Sequence, residues 1–353
     1  MPPATPPTTA ERRTVSDLRA GDSVDGVYLL AELQQRAKKN GDPYFFLTLR
    51  DATGAVQSVM WDNHDLLLAG SVAQNDFAHV QGHVAEYNGA LQVTVKKVAR
   101  VEDESVDASL FLPSSTIPRA ELERRLDLVL ESVQNADCRR LLDRFFGHKR
   151  LREMYCTAPA AARVHQAFIG GLLEHTLNVI DNALKIAENY KPFDRDLLVT
   201  AGLLHDIGKI REYDWRRAIT YTDDGRLLGH IFMGASMVDS AIRELQRAPE
   251  GFSEHYHRQI LHIILSHHGK LEYGSPVIPK TREALLLHYG DYTDAYMASF
   301  GDAVRESLER GQRWTPYNKL FESFLFTGLE RGKDADPAAS PPAAASGSVD
   351  DPG

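Results

Sequence analysis

Two hydrophobic periods divide this chain. From position 24 to about 101, apolar residues gather in short β-prone runs or alternate with polar ones, the signature of strands. From about 120 to 329 they return every third or fourth position, the spacing of helices that bury one stripe. The first region predicts strands over 24–33, 44–49, 56–61, 77–85 and 91–101, with a short helix over 63–69. Asp51-Ala52-Thr53-Gly54 and Asn88-Gly89 are the turn signals joining the second strand to the third and the fourth to the fifth. The second region predicts helices over 119–132, 137–146, 172–190, 196–207, 232–246, 257–267 and 280–300. Residues 1–13, rich in Pro and Thr, and 331–353, rich in Ala, Pro, Ser and Asp, show no period and are expected to be disordered.

Five strands with a small helix between the third and fourth make the layout of an OB-fold barrel. The expected organisation is therefore multidomain: a small all-β barrel over 14–101, a linker over 102–117, and an all-α domain over 118–330. Such barrels bind single strands by stacking bases on aromatic rings inside a basic groove. Tyr44, Phe46 and Trp61, with Lys38, Lys39 and Lys97 nearby, are the candidates for that contact. Alternating strand aromatics also fill cores, so each of the three carries both readings.

Composition narrows the class. At 353 residues, 43% hydrophobic and 25% charged, the chain has an ordinary soluble make-up with room for two cores. No apolar run reaches the roughly 20 residues that span a bilayer, and no secretory signal opens the chain. Cys138 and Cys156 match no zinc spacing and are too few for a disulfide framework, which makes the cytoplasm the expected compartment. The net charge of −9 weighs against wholesale electrostatic binding of nucleic acid but leaves room for a local basic groove or a metal-neutralised site.

The chemistry concentrates in Leu203 to Lys209, L-L-H-D-I-G-K, where an apolar helix runs into adjacent His205 and Asp206 before Gly208. Neighbouring residues on a helix point about 100° apart, so beside packed Ala201, Leu203 and Leu204 both cannot face solvent. A lone pair of this kind would read as Asp206 bridged to Lys209 and His205 as a satisfied core histidine. It has company. The helix over 172–190 and the next must run antiparallel across the short 191–194 loop, which sets His175 at the start of one beside His205 and Asp206 at the end of the other. His230, the pair His267-His268 and Asp291 follow. Mixed imidazole and carboxylate ligands suit Mn, Fe, Co, Ni or Zn better than Ca or Mg. A carboxylate shared by two ions roughly 3.5–4 Å apart would clamp a phosphoryl group for attack by a metal-activated water.

The ordered set His175, His205-Asp206, Asp291 resembles the H…HD…D signature of the HD superfamily of metal-dependent phosphohydrolases, an all-helical fold. More narrowly, G-G-L-L-E-H-T-L at 170–177, S-H-H-G-K-L-E-Y-G-S-P at 266–276 and L-H-Y-G-D-Y-T-D-A-Y-M at 287–297 are similar to the YhaM-type 3′→5′ exoribonucleases, which join an OB-fold to an HD domain. The resemblance spans about 15–328 and implies that single-stranded RNA, and DNA alongside it, is the partner. It implies that His175, His205, Asp206 and Asp291 bind one ion, with Asp206 bridging, and that His230 with His267 or His268 serves a second. Mn²⁺ is the expected ion, ahead of Co²⁺, Fe²⁺, Ni²⁺ or Zn²⁺. Asp206 and Lys209 would be catalytic, Lys209 by contacting the substrate phosphate. Lys270 is a second candidate for that task, and Arg163 and His165 would hold the neighbouring phosphate. Asp294 would orient a histidine from behind, and His257, His262 and His288 are read as structural. The alternative is an HD-type phosphodiesterase or phosphohydrolase of cyclic dinucleotides or nucleotides, but the G-Y-P that follows the His-His pair there is Gly274-Ser275-Pro276 here. The helical surface also leaves room for a homo-oligomer.

Overall fold

The computed structural model describes residues 13–102, 106, 110–162 and 167–328. Strands β1 (Ser23–Ala37), β2 (Pro43–Asp51), β3 (Gly54–Met60), β4 (Phe77–Tyr87) and β5 (Ala90–Arg100) close a barrel in the order β1-β2-β3-β5-β4, with the short helix α1 (Asp65–Leu68) between β3 and β4. The expected barrel is therefore the observed one. Only β3 and β5 pair in parallel; the other neighbours are antiparallel. β1 serves two partners, pairing β4 through Ser23–Leu29 and β2 through Leu29–Ala37, and the register slips between Leu30 and Glu32. Such a bulge bends the strand, which lets one strand turn the barrel's corner. Inside lie Tyr28, Leu30, Leu47, Leu49, Met60, Val80 and Val93, each buried.

The helical part runs α2 (Arg119–Glu131), α3 (Ala136–Phe146), α4 (Lys149–Thr157), α5 (Gly171–Ala187), α6 (Arg195–Leu204), α7 (Lys209–Glu212), a hairpin of β6 (Tyr213–Asp214) and β7 (Thr220–Tyr221), then α8 (Asp223–Arg247), α9 (Glu254–Ser266) and α10 (Arg282–Glu309). Caps fix several starts: the Asn135 side chain accepts from Asp137 N and Cys138 N, and Asp194 accepts from Leu197 N. α6 is the central helix, with every residue from Leu197 to Leu204 buried, which is why its apolar run shows so little polar relief.

Three features depart from the periodic reading. α4 is not among the predicted helices, because its three basic residues, Lys149, Arg150 and Arg152, mask the buried Tyr155 and Cys156. The helical pattern was carried to about 329, but residues 310–328 form turns with isolated bridges Trp314–Phe326 and Asn318–Ser323. Apolar aromatics there fall at helical spacing by coincidence and pack locally, Trp314 on Phe326. The 102–117 linker is not loose throughout, since Phe111 and Leu112 are fully buried.

Those two residues explain how the barrel is held. The chain divides into two compact units, the first running to Tyr296 and the second from Met297. Within the first, Phe111 and Leu112 join the barrel's Val27, Leu29 and Phe77 in one small apolar cluster, with Trp215 and Ile219 of the β6–β7 hairpin packed against it. The Phe77 and Phe111 rings sit 4.9 Å apart. Beside the cluster, Arg217 Nη1 meets the buried Asp76 carboxylate at 2.7 Å. Among the described residues no helix is long and apolar enough to cross a membrane.

Truncating a fully buried phenylalanine costs about 3–5 kcal/mol. Phe111→Ala is expected to lower the free energy of unfolding by that amount, read from the midpoint of a urea titration.

Candidate metal centre

The α5–α6 hairpin does what its spacing demands: it carries His175, on the second turn of α5, to the end of α6. There His175 Nε2 lies 3.4 Å from Asp206 Oδ2. The sequence suggested that Gly208 ends this helix. α6 stops earlier, at Leu204, and His205 to Gly208 make a turn before α7. Gly208 has an ordinary right-handed backbone, so its role is not a left-handed cap. A Cβ there would lie 2.0 Å from the His230 carbonyl oxygen and 2.7 Å from Gly234 N. Only glycine lets α8 come close enough to set His230 beside Asp206.

α8 is itself broken at Gly229, whose φ of 71° lies outside the helical region. The break frees the His230 N–H, which donates to Glu212 Oε1 at 3.1 Å, and the same oxygen lies 3.1 Å from His230 Nδ1. Glu212 therefore caps the resumed helix and turns its first imidazole at once. The sequence reading missed it. Its only signal was a charged residue one helical turn past Gly208 in an otherwise buried stretch.

Asp206 is 1% exposed, and its two oxygens look different ways. Oδ2 faces His175 at 3.4 Å, His205 Nε2 at 3.3 Å and Lys209 Nζ at 2.6 Å. Oδ1 faces His230 Nε2 at 3.4 Å and His267 Nε2 at 3.5 Å. His175, His205 and Asp206 offer ligand atoms within 4.8 Å of one another, and so do His230, His267 and His268. Asp291 Oδ1 approaches His175 Nε2 at 3.2 Å. His267 is the C-cap of α9 and His268 lies just beyond the helix, and each offers a ring nitrogen to the group it makes with His230.

Every imidazole in the cluster has its Nδ1 engaged from behind. His205 donates to Gly202 O, His267 to Ile264 O and His268 to Tyr273 O, each at 2.7 Å. His175 Nδ1 meets Asp294 Oδ2 at 2.7 Å, the orienting role expected of Asp294. A backbone carbonyl can only accept, so the Nε2 of those three rings carries a lone pair free to take a cation. His205, His230 and His267 Nε2 and Asp206 Oδ1 are buried with no hydrogen-bond partner. Buried polar atoms left in that state are costly, and several converging on one spot fit a cation.

The electrostatics agree. Burial pushes the Asp206 carboxyl up, but Lys209 and His205 outweigh it and hold it well below the usual range. Burial opposes charge on His175, yet Asp206, Asp291 and Asp294 hold its pKa well above the usual value. Burial, with His267 adjacent, pushes His268 down to about 3, so it is a neutral imidazole at any physiological pH. Burial lowers His267 as well.

The remaining candidates scatter. Lys270 is exposed, with its ammonium 5.2 Å from the Tyr273 ring. Arg163 and His165 lie outside the described residues. On the barrel, Tyr44 and Trp61 stack on each other at 4.7 Å with Trp61 44% exposed, while Phe46 sits half-buried under the Arg36 guanidinium at 4.4 Å. His257 pairs with Asp239, His262 accepts from Lys280 N and His288 bonds His267 O, structural roles in each case.

A closed five-stranded barrel ahead of a helical domain with this His/Asp cluster defines the class: an OB-fold joined to an HD phosphohydrolase domain. Family models agree, one described as an HD domain over residues 172–296 and one as an OB-fold nucleic acid binding domain over 27–101. The 3′-5′ exoribonuclease YhaM of Bacillus velezensis is 32% identical over 83% of this chain and 90% of its own length, and that of Bacillus subtilis is 33% identical over the same shares. Among solved structures, the second OB-fold domain of replication protein A from Methanococcus maripaludis covers 26% of this chain and 94% of its own, at 22% identity and a TM-score of 0.21. The chain belongs to the YhaM 3′-5′ exoribonuclease family.

Groups that orient a ligand from behind typically account for 10–100-fold in metal affinity. Asp294→Ala and Glu212→Ala are each expected to weaken divalent-metal binding by about that factor in a calorimetric titration. Asp239→Ala, which releases only the structural His257, should leave the titration as it is.

Proposed function

We infer that this chain is a metal-dependent 3′→5′ exoribonuclease that hydrolyses single-stranded RNA, and DNA alongside it, to 5′-mononucleotides. The observation that carries the chemistry is the divided Asp206 carboxylate, with one oxygen toward His175 and His205 and the other toward His230 and His267. That is what a ligand shared between two ions requires. The RNA substrate and the direction of attack are supported by the relatives named 3′-5′ exoribonuclease, which match 83% of the chain.

In this reading His175, His205, Asp206 and Asp291 would hold one ion, and His230, His267 and His268, together with Asp206, would hold the other. Two divalent ions, Mn²⁺ first and Co²⁺, Fe²⁺, Ni²⁺ or Zn²⁺ as alternatives, would supply an activated water and charge neutralisation at the scissile phosphate. The protein's own cation is Lys209. Burial opposes its charge, but Asp206 keeps it protonated, so it is a fixed positive charge beside the phosphoryl oxygens. Tyr44 and Trp61 give the barrel a stacked aromatic pair for bases further along the strand.

With a 5′-labelled single-stranded RNA and Mn²⁺, the protein should yield a ladder that descends from the 3′ end. Asp206→Ala should cut the rate at least about a hundredfold, since it removes a ligand rather than a supporting group. A blocked 3′ end should protect the RNA. RNA left intact by the wild-type protein would transfer the assignment to small nucleotides, tested next with cyclic dinucleotides.

A further inference from the structure

α10 presents two different stripes beside the metal centre. Asp291 and Asp294, three residues apart, turn toward His175. About 100° around the helix, His288, Tyr292 and Tyr296 follow one another at four-residue spacing and so share a second face. The Tyr292 and Tyr296 rings stack at 3.9 Å with their planes 24° apart, close to the 23° of the barrel's own Tyr44–Trp61 pair.

The loop after α9 lies along this second face. Gly269 makes that possible: its φ is +79°, and a Cβ on it would fall 2.2 Å from the His288 ring. His288 Nδ1 bonds the His267 carbonyl at 2.9 Å. Tyr273, whose carbonyl accepts from His268, brings its hydroxyl to Tyr296, which also hydrogen-bonds Tyr292. The three rings thus form one group, joined by backbone to His268 on one side and to Asp291 on the other.

These rings are not core. Tyr273 is 46% exposed and Tyr292 39%. Large exposed aromatics in a continuous group call for an occupant. Their place beside a centre built for phosphate, and the exposed Lys270 ammonium 5.2 Å from the Tyr273 ring, select an anionic strand with flat apolar faces.

We propose that Tyr273, Tyr292 and Tyr296 form the platform on which the 3′-terminal bases of the substrate stack, with Lys270 meeting a phosphate at its edge. The proposal rests on the exonuclease reading and adds to it where the terminal nucleotide is gripped. Stacking accepts every base, because each has a π face, so a platform of this kind lets one site consume a strand of any sequence. Tyr273 is the residue to test, since only its backbone carbonyl meets His268 and a change of its side chain leaves that hydrogen bond in place.

Two 5′-labelled RNAs of equal length are compared with the Mn²⁺-loaded full chain, one ordinary and one whose last two nucleotides lack bases. On ordinary RNA, Tyr273→Ala should lower kcat/KM about tenfold or more, chiefly through KM, and Tyr273→Phe should restore most of it. On the abasic-ended RNA, wild-type protein and Tyr273→Ala should cleave the first linkage at matching rates. An equal fall on both RNAs would assign Tyr273 a structural role and overturn the platform, as would unchanged cleavage of ordinary RNA by Tyr273→Ala. Ordinary RNA left intact by the wild type overturns the exonuclease reading itself, and the platform falls with it.

Discussion

A buried carboxylate is the constraint around which the helical domain is arranged. Taking the Asp206 side chain out of water costs several kcal/mol unless charges and hydrogen-bond donors replace the solvent. No single neighbour does this. The replacement comes from α5 through His175, from the turn after α6 through His205, from α7 through Lys209, from α8 through His230 and from the end of α9 through His267. Stretches of chain from residue 175 to residue 267 therefore depend on one another at one residue. The arrangement gathers more unsatisfied lone pairs than donors, which is why it suits a cation better than it suits an internal ion pair.

The second constraint is mechanical. The barrel is docked on the helical domain rather than tethered by a free linker. Phe111 and Leu112 lie between barrel and hairpin in a shared apolar cluster, and Arg217 reaches the buried Asp76. The hairpin that carries Trp215 and Arg217 emerges directly from α7, which also holds Lys209 and Glu212. The segment that anchors the barrel is thus continuous with the segment that orients the site.

The net charge of −9 is compatible with an RNA substrate because charge is not spread evenly. In the proposed reading the strand would be engaged by rings on the barrel and by the His/Asp cluster, and neither needs a uniformly basic surface.

Much of this was legible in the chain alone. Period-two and period-four patterns separated barrel from helices, and the turn residues at Asp51–Gly54 and Asn88-Gly89 placed two hairpins correctly, because these signals depend only on local backbone sterics. The short connection between α5 and α6 was enough to bring His175 to His205 and Asp206. What local pattern could not decide was which distant groups lie behind the ligands. The role of Glu212, the break at Gly229, the close approach at Gly208 and the burial of Phe111 all arise from packing between elements far apart in sequence. The same reason hid the non-helical 310–328 segment, whose apolar spacing fits a helix until its rings find local partners. The sequence by itself determined the two kinds of domain and the histidine and aspartate types that make the cluster; only the tertiary structure decided how Asp206 divides its oxygens, because that depends on the simultaneous approach of α5, α8 and α9 to the segment that carries it.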